Sequence, residues 1–359
     1  MIDFRYHLVS IVAVFLALAI GIVVGSTALK PAVITGLQKT SNQERKQIDG
    51  LITQNAGLKQ QRNAAQAFAV ANERRLLAGL LDGQRVVLVQ APGAAGQVTT
   101  GVSTALTKAG ALVTGTLQVQ QQFFSTGTQA NLDTLNRQLT PAGTAPGTGT
   151  PQTVASQLIA NAIMIKDQPG QPPVSGTDSV AKSVLSGYAA GGFLSISSGE
   201  LTARATLAVV IIPATPPTTS NASQENQALV TLAQQLGLAG GGAALAGQLI
   251  GSGPGSAIDV LRSTQTSHVS SVDDADYATG QIALAQALYE QLTTGKPGNY
   301  GTLSSASGAG PSPGPSPSPS ASASASTAGT PAGGKRPAGR QPTAGQSAVP
   351  VASASAGTP

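Results

Sequence analysis

Apolar positions follow three different rhythms along this chain, and each predicts a different element. Residues 8–29 (LVSIVAVFLALAIGIVVGSTAL) form an apolar run of 22 residues without a charge. At about 1.5 Å per residue such a run makes a helix of roughly 33 Å, enough to cross a bilayer core. A removable signal peptide is the rival reading, because Ser26-Thr27-Ala28 has the small side chains of a cleavage site. A signal core usually spans only about 7 to 15 residues behind a basic stretch, whereas here Asp3 precedes it. The length therefore predicts an uncleaved anchor in the plasma membrane. Within it Ala17, Gly21 and Gly25 recur every four residues and share a face where a second helix could approach closely. Gly and Ala are also simply common in membrane helices.

The second rhythm follows Pro31. Residues 37–81 are polar and helix-forming, with heptad-spaced apolar positions at Ile48 and Leu51, then Asn55 and Leu58, then Arg62, Ala65, Ala69 and Leu76. With Ile48 at position a, Asn55 takes the next a, where a buried amide holds two parallel helices in register. This predicts a coiled-coil stalk over residues 31–82 and a parallel homodimer through stalk and anchor. Gly50 and Gly57 each weaken the helix by about 1 kcal/mol relative to Ala, so a single amphipathic helix lying on its own domain stands as the alternative.

In the third rhythm, apolar runs alternate with helical patterns. Residues 85–90 (RVVLVQ) lie between Gly83 and Pro92-Gly93 and read as a strand buried on both faces of a parallel sheet. A helix over 98–109 and a strand over 112–119 complete a right-handed unit. The alternation returns with strands at 207–212, 243–250 and 268–272 and helices at 224–236, 256–262 and 277–292. The prediction is an α/β domain over residues 83–300 with a doubly wound, mostly parallel sheet. Helical patterns at 132–139, 154–165 and 180–190 sit between the halves, joined by Pro- and Gly-rich connections at 141–151 and 168–177. Residues 301–359 are poor in large apolar side chains and run through PSPGPSPSPSASASAS, which predicts a disordered tail.

Composition narrows the chemistry. The absence of Cys excludes a disulfide scaffold, a thiolate metal site and a thiol nucleophile. The net charge is +5, of which Lys335, Arg336 and Arg340 in the tail supply +3, so no basic face for nucleic acid is expected. Near the anchor, Arg5 precedes the span while Lys30, Lys39, Arg45 and Lys46 follow it. By the positive-inside rule this balance would favour the wrong side for an exported domain, so charge does not set the orientation.

Two Gly-rich loops, 91–96 (APGAAG) and 251–256 (GSGPGS), follow strands and precede helices, where backbone amides can hold phosphate. Neither matches GxGxxG or a Walker loop, and no nucleotide cofactor is expected. Asp273, Asp274 and Asp276 precede the last helix; three close carboxylates could take a divalent cation, but helix capping is the commoner use. The histidines are His7 and His268, no GxSxG motif exists, and Glu200, Glu225 and Glu290 are scattered, so no enzyme is expected. Copper ligands reduce to Met1, Met164, His7 and His268, from which no ligand spacing can be assembled, and no metal site is expected.

The opening MIDFRYHLVSIVAVFLALAIGIVVGSTAL and the closing HVSSVDDADYATGQIALAQALYEQLTTGKPGNYG resemble the actinobacterial MctB family of copper transport proteins, which also contains the cell-separation protein SteB. The resemblance extends from Met1 to about Gly301 through RVVLVQAPGA and the stalk. It implies a cytoplasmic N-terminus, an extracytoplasmic body and an actinobacterial host, with Asp273 and residues 277–280 inside a C-terminal signature. It also implies two functions: copper handling as a membrane channel or accessory factor, and regulation of a peptidoglycan hydrolase or division factor. One apolar helix cannot line a pore unless several assemble, so the expected function is an anchored envelope scaffold that binds an envelope protein, with copper efflux or homeostasis as the alternative.

Overall fold

The computed structural model describes residues 4–143, 147–166, 179–197, 201–264 and 268–312, and in the first helix it describes no side chains for residues 27–34. The connection expected over 168–177 and the tail beyond residue 312 lie outside the described residues.

Anchor and stalk form one helix, α1 (Phe4–Leu77), 74 residues long. Its first part, Arg5–Ser26, has a mean hydropathy of 2.9 and is entirely unburied by the rest of the chain, as a lipid-facing segment must be. Pro31, where the anchor and stalk patterns meet, lies inside this one helix. A proline in a helix interior removes one hydrogen-bond donor and costs about 3 kcal/mol, which a long cooperative helix tolerates.

Beyond α1 the chain alternates as its apolar runs dictate. The elements are β1 (Arg85–Gln90), α2 (Gly96–Lys108), β2 (Leu112–Val119), α3 (Gln129–Leu139), α4 (Pro151–Ile163), α5 (Ser179–Ala190), β3 (Leu194–Ile196) and β4 (Leu207–Ile211). They continue with α6 (Ala222–Ala239), β5 (Gly242–Ala246), α7 (Ala257–Thr264), β6 (Val269–Val272), α8 (Ala278–Thr294) and β7 (Asn299–Tyr300). The sheet order is β3-β2-β1-β4-β5-β6-β7, parallel throughout except for β3, which pairs antiparallel with β2 at the edge.

Alternate residues of each central strand feed two cores. Val87, Val89, Ala208, Val210 and Leu245 face α3, α4, α5, α6 and α7. Val86, Leu88, Val209, Ile211 and Ala246 face α2, α8 and the end of α1. The middle helices cover one face of the sheet on the way from β2 to β4.

Small residues in the helices let α6 and α8 sit close to the backbone that enters and leaves β6. At Gly237 an added Cβ would meet the His268 carbonyl at 2.4 Å, and at Gly280 it would meet the Asp274 carbonyl at 2.2 Å. His268 is the non-glycine residue with positive φ, at 74°, where the chain turns into β6.

Two boundaries differ from the sequence reading. Residues 301–312 belong to the fold: Gly301 N donates to Gly308 O at 2.9 Å, and Thr302 N donates to the Asp273 carboxylate at 2.7 Å. Hydrophobicity misses this segment because a buried carboxylate holds it, and Leu303 is its one large apolar side chain. The strand expected over 243–250 stops at Ala246 and is followed by a 3-10 turn over Leu249–Ser252.

Candidate functional site at the carboxyl edge of the sheet

β1 and β4 are neighbours whose crossovers lead to opposite sides, and ligands of open α/β sheets bind outside such a switch point. Here the two loops are tied together at the base: Ala91 N donates to Ile211 O and Ala214 N donates to Gly93 O, both at 2.9 Å. Gly93, at φ 76°, allows that approach; a Cβ added there would meet Pro213 Cβ at 3.9 Å. Above this base lies a crevice of about 870 Å³, walled by Pro92, Phe124, Pro213, Pro216, Pro217 and Leu229. Glu225, in the first turn of α6, is the one charged residue that lines it. Its Oε1 accepts from Gln121 Nε2 at 3.2 Å and Thr219 Oγ1 at 3.1 Å, which fixes the carboxylate at the rim. In sequence Glu225 looked isolated, because its partners come from β2's exit and from the loop after β4.

The Gly-rich loops are not equivalent. In residues 251–256 the helix start is already occupied: Gly255 N donates to Asp259 Oδ2 at 2.9 Å and Asp259 N to Ser256 Oγ at 3.2 Å, so α7 is capped by its own carboxylate. In residues 91–96, α2 starts behind Ala95 with no side-chain cap.

The three aspartates have separate fates, and none caps α8 in the expected way. Asp273 is fully buried and pairs with Arg262 Nη1 at 2.9 Å. Arg262 also donates to Ser271 Oγ at 2.9 Å and to Tyr300 O at 2.8 Å, so α7, β6, β7 and the 301–308 loop close around one ion pair. Asp274 is buried too; its Oδ2 accepts from Thr279 Oγ1 at 3.3 Å while Oδ1 has no partner. Burial, and next the adjoining Asp273 charge, push its carboxyl up to about 6. Asp276 is exposed. Among the described residues no three His, Cys, Asp or Glu side chains are grouped to hold a metal ion.

The cap of α8 comes from the stalk. Ala278 N donates to Gln66 Oε1 at 3.0 Å, and the Arg62 guanidinium lies 5.1 Å from the centre of the Tyr277 ring. Glu73 then pairs with Lys108 at 2.6 Å, and Leu77 and Leu81 are fully buried. Stalk and domain are therefore continuous at the core, each leucine contributing about 1.5–3 kcal/mol. Direction follows from these contacts: Gln66 meets the chain after β6, at the carboxyl edge, while Leu81 N bonds Ala109 O just before β1 at the amino edge. Coming from the anchor, α1 meets the carboxyl edge first, so the crevice faces back along the stalk.

Ile48, Leu51, Asn55 and Leu58 are exposed along α1 below the domain. At 100° per residue they share the helix face that carries Arg62, Gln66, Ala69 and Glu73 onto α8 and α2. The helix lies on its own domain from Arg62 upward, where α8 and α2 cover this face, and is bare beneath. Ala17 and Gly21 are exposed on the anchor, and Gly25 is nearly so. The copper-ligand types lie apart: His7 on the first turns of α1, His268 before β6, Met164 buried after α4, and Met1 outside the described residues.

A family model described as "Copper transport outer membrane protein, MctB" matches residues 1–311. Proteins named "Copper transporter MctB" from Mycobacterium tuberculosis (strain ATCC 25618 / H37Rv) and Mycobacterium bovis (strain ATCC BAA-935 / AF2122/97) are each 29% identical over 307 residues, covering 84% of this chain and 96% of theirs. The protein of that name from Mycobacterium leprae (strain TN) is 29% identical over 310 residues, with the same coverage.

Proposed function

This chain belongs to the MctB family, and from that membership we propose that it serves copper homeostasis as a single-pass protein of the plasma membrane, acting as an anchored binding component and not as the conduit itself. The observation that carries this reading is α1, one helix whose start suits lipid and whose end is built into the core of an α/β domain. Such a helix holds the domain at a set height. From Ser26 to Arg62, a straight helix spans roughly 54 Å at about 1.5 Å per residue.

Copper, the cargo named in the relatives' titles, calls for thiolate, thioether or imidazole ligands. With no Cys, two Met and two His in the whole chain, transfer of the ion falls to a partner that the domain recruits. The domain faces the outside of the membrane, the N-terminus the cytoplasm, and its role is binding, without catalysis.

A second reading is favoured by the bare stalk face and the crevice, both of which suit a protein partner: a scaffold that regulates a peptidoglycan hydrolase or division factor, assembled as a parallel homodimer through anchor and stalk. Deleting the gene and measuring intracellular copper and cell separation distinguishes the two. Copper accumulation with normal septation supports copper homeostasis; unchanged copper with chained cells refutes it in favour of the scaffold.

A further inference from the structure

We propose that the switch-point crevice binds an extended peptide segment carrying one basic side chain, with Glu225 as its counter-ion. The inference rests on reading the domain as a binding module and adds what it binds. The crevice volume of about 870 Å³ is in the range of small-ligand sites, and its walls are proline, phenylalanine and leucine. A second hollow of about 300 Å³ shares Phe124 and is lined by Gln129, Thr150, Gln152, Gln224 and Gln227, a neutral set of amide and hydroxyl groups. Apolar walls beside a hollow that offers amide and hydroxyl groups match a peptide, whose side chains need the first and whose backbone needs the second.

Charge selects the side chain. Glu225 is the one ionised group in either lining, and Gln121 and Thr219 hold its Oε1 from the protein side. The start of α6 offsets about half of that charge, which leaves a net negative rim. A cation is therefore attracted where an anion would be repelled, and the bond formed is charge-assisted.

The test uses the full chain in detergent micelles and two dye-labelled probes read by fluorescence anisotropy: acetyl-Ala-Pro-Lys-Pro-Ala-amide and its norleucine counterpart. The lysine probe is expected to bind about tenfold more tightly, the scale of one hydrogen bond to a charged group. Glu225→Gln, which keeps an acceptor for Thr219 and Gln121, should abolish that difference while leaving the norleucine affinity unchanged. Thr218→Trp, which fills the crevice, should remove binding of both. Equal affinity for the two probes, tighter binding of the norleucine probe, no binding of either at millimolar concentration, or binding that survives Thr218→Trp each overturns the proposal. None of these outcomes bears on whether deletion raises intracellular copper, so the crevice ligand and the envelope role fail separately.

Discussion

Arg262→Met isolates the interaction that closes the carboxyl edge around β6, β7 and the 301–308 loop. The Arg262 side chain is 4% exposed and that of Asp273 fully buried, so the substitution leaves a carboxylate in the interior with its countercharge gone. Thr302 N and Leu303 N still donate to it, at 2.7 and 3.4 Å, which is too little to replace a guanidinium. Removing one partner of a buried pair costs about 3–5 kcal/mol, a large part of the roughly 5–15 kcal/mol that holds a domain folded. Urea denaturation of the chain in micelles, followed by far-UV circular dichroism, should show that loss in the midpoint. Limited proteolysis should cut first within 301–308, because Arg262 also binds Tyr300 O and Ser305 Oγ. Adding Asp273→Asn to Arg262→Met removes the buried charge and should restore most of the stability. A loss under about 1 kcal/mol in the single variant, or a double variant as unstable as the single, would refute the reasoning.

Asp274 should make the fold more stable in mild acid. Its carboxyl is raised from 3.8 to about 6, so the folded state binds the proton more tightly and stability from this group rises as pH falls from about 6 toward 4. Asp274→Asn should therefore gain about 1–3 kcal/mol over the parent at pH 7.5 and nothing at pH 4, measured by urea midpoints at the two values. Leu77→Ala should lose about 2–5 kcal/mol in the same assay, because Leu77 is fully buried where α1 enters the core. Gly280→Ala should destabilise by about 1–3 kcal/mol, since its Cβ would sit 2.2 Å from the Asp274 carbonyl, which is backbone and cannot swing away.

Much of the fold was legible in the sequence. The runs that begin at Arg85 and Leu207 are strands because continuous apolar residues must be covered on both faces, the half-exposed run from Leu112 pairs beside them, and all three are parallel. Two strands escaped: β3 has three residues and β7 two, both too short to carry a period. The helix through Pro31 escaped because local propensity does not weigh the length of helix on either side. At the site, Asp273 to Asp276 drew notice as a charge cluster, yet what each does depends on distant partners. Arg262 is 11 residues away in sequence, and the cap of α8 comes from Gln66, 212 residues away. The heptad pattern on α1 could not tell that α8 of the same chain takes the upper half of that face, at Arg62, Gln66 and Ala69.

The account's central claim is that one membrane-crossing helix carries the α/β domain on the far side of the membrane from the N-terminus. Because the chain has no cysteine, a single introduced thiol is its only reactive one. Ser223→Cys, exposed on α6, and Arg5→Cys, at the start of α1, place it on the two sides. Treated with a membrane-impermeant maleimide, intact spheroplasts should label the residue-223 thiol and not the residue-5 thiol, which reacts only after lysis. Labelling of both in intact spheroplasts, or of residue 5 alone, would contradict the account.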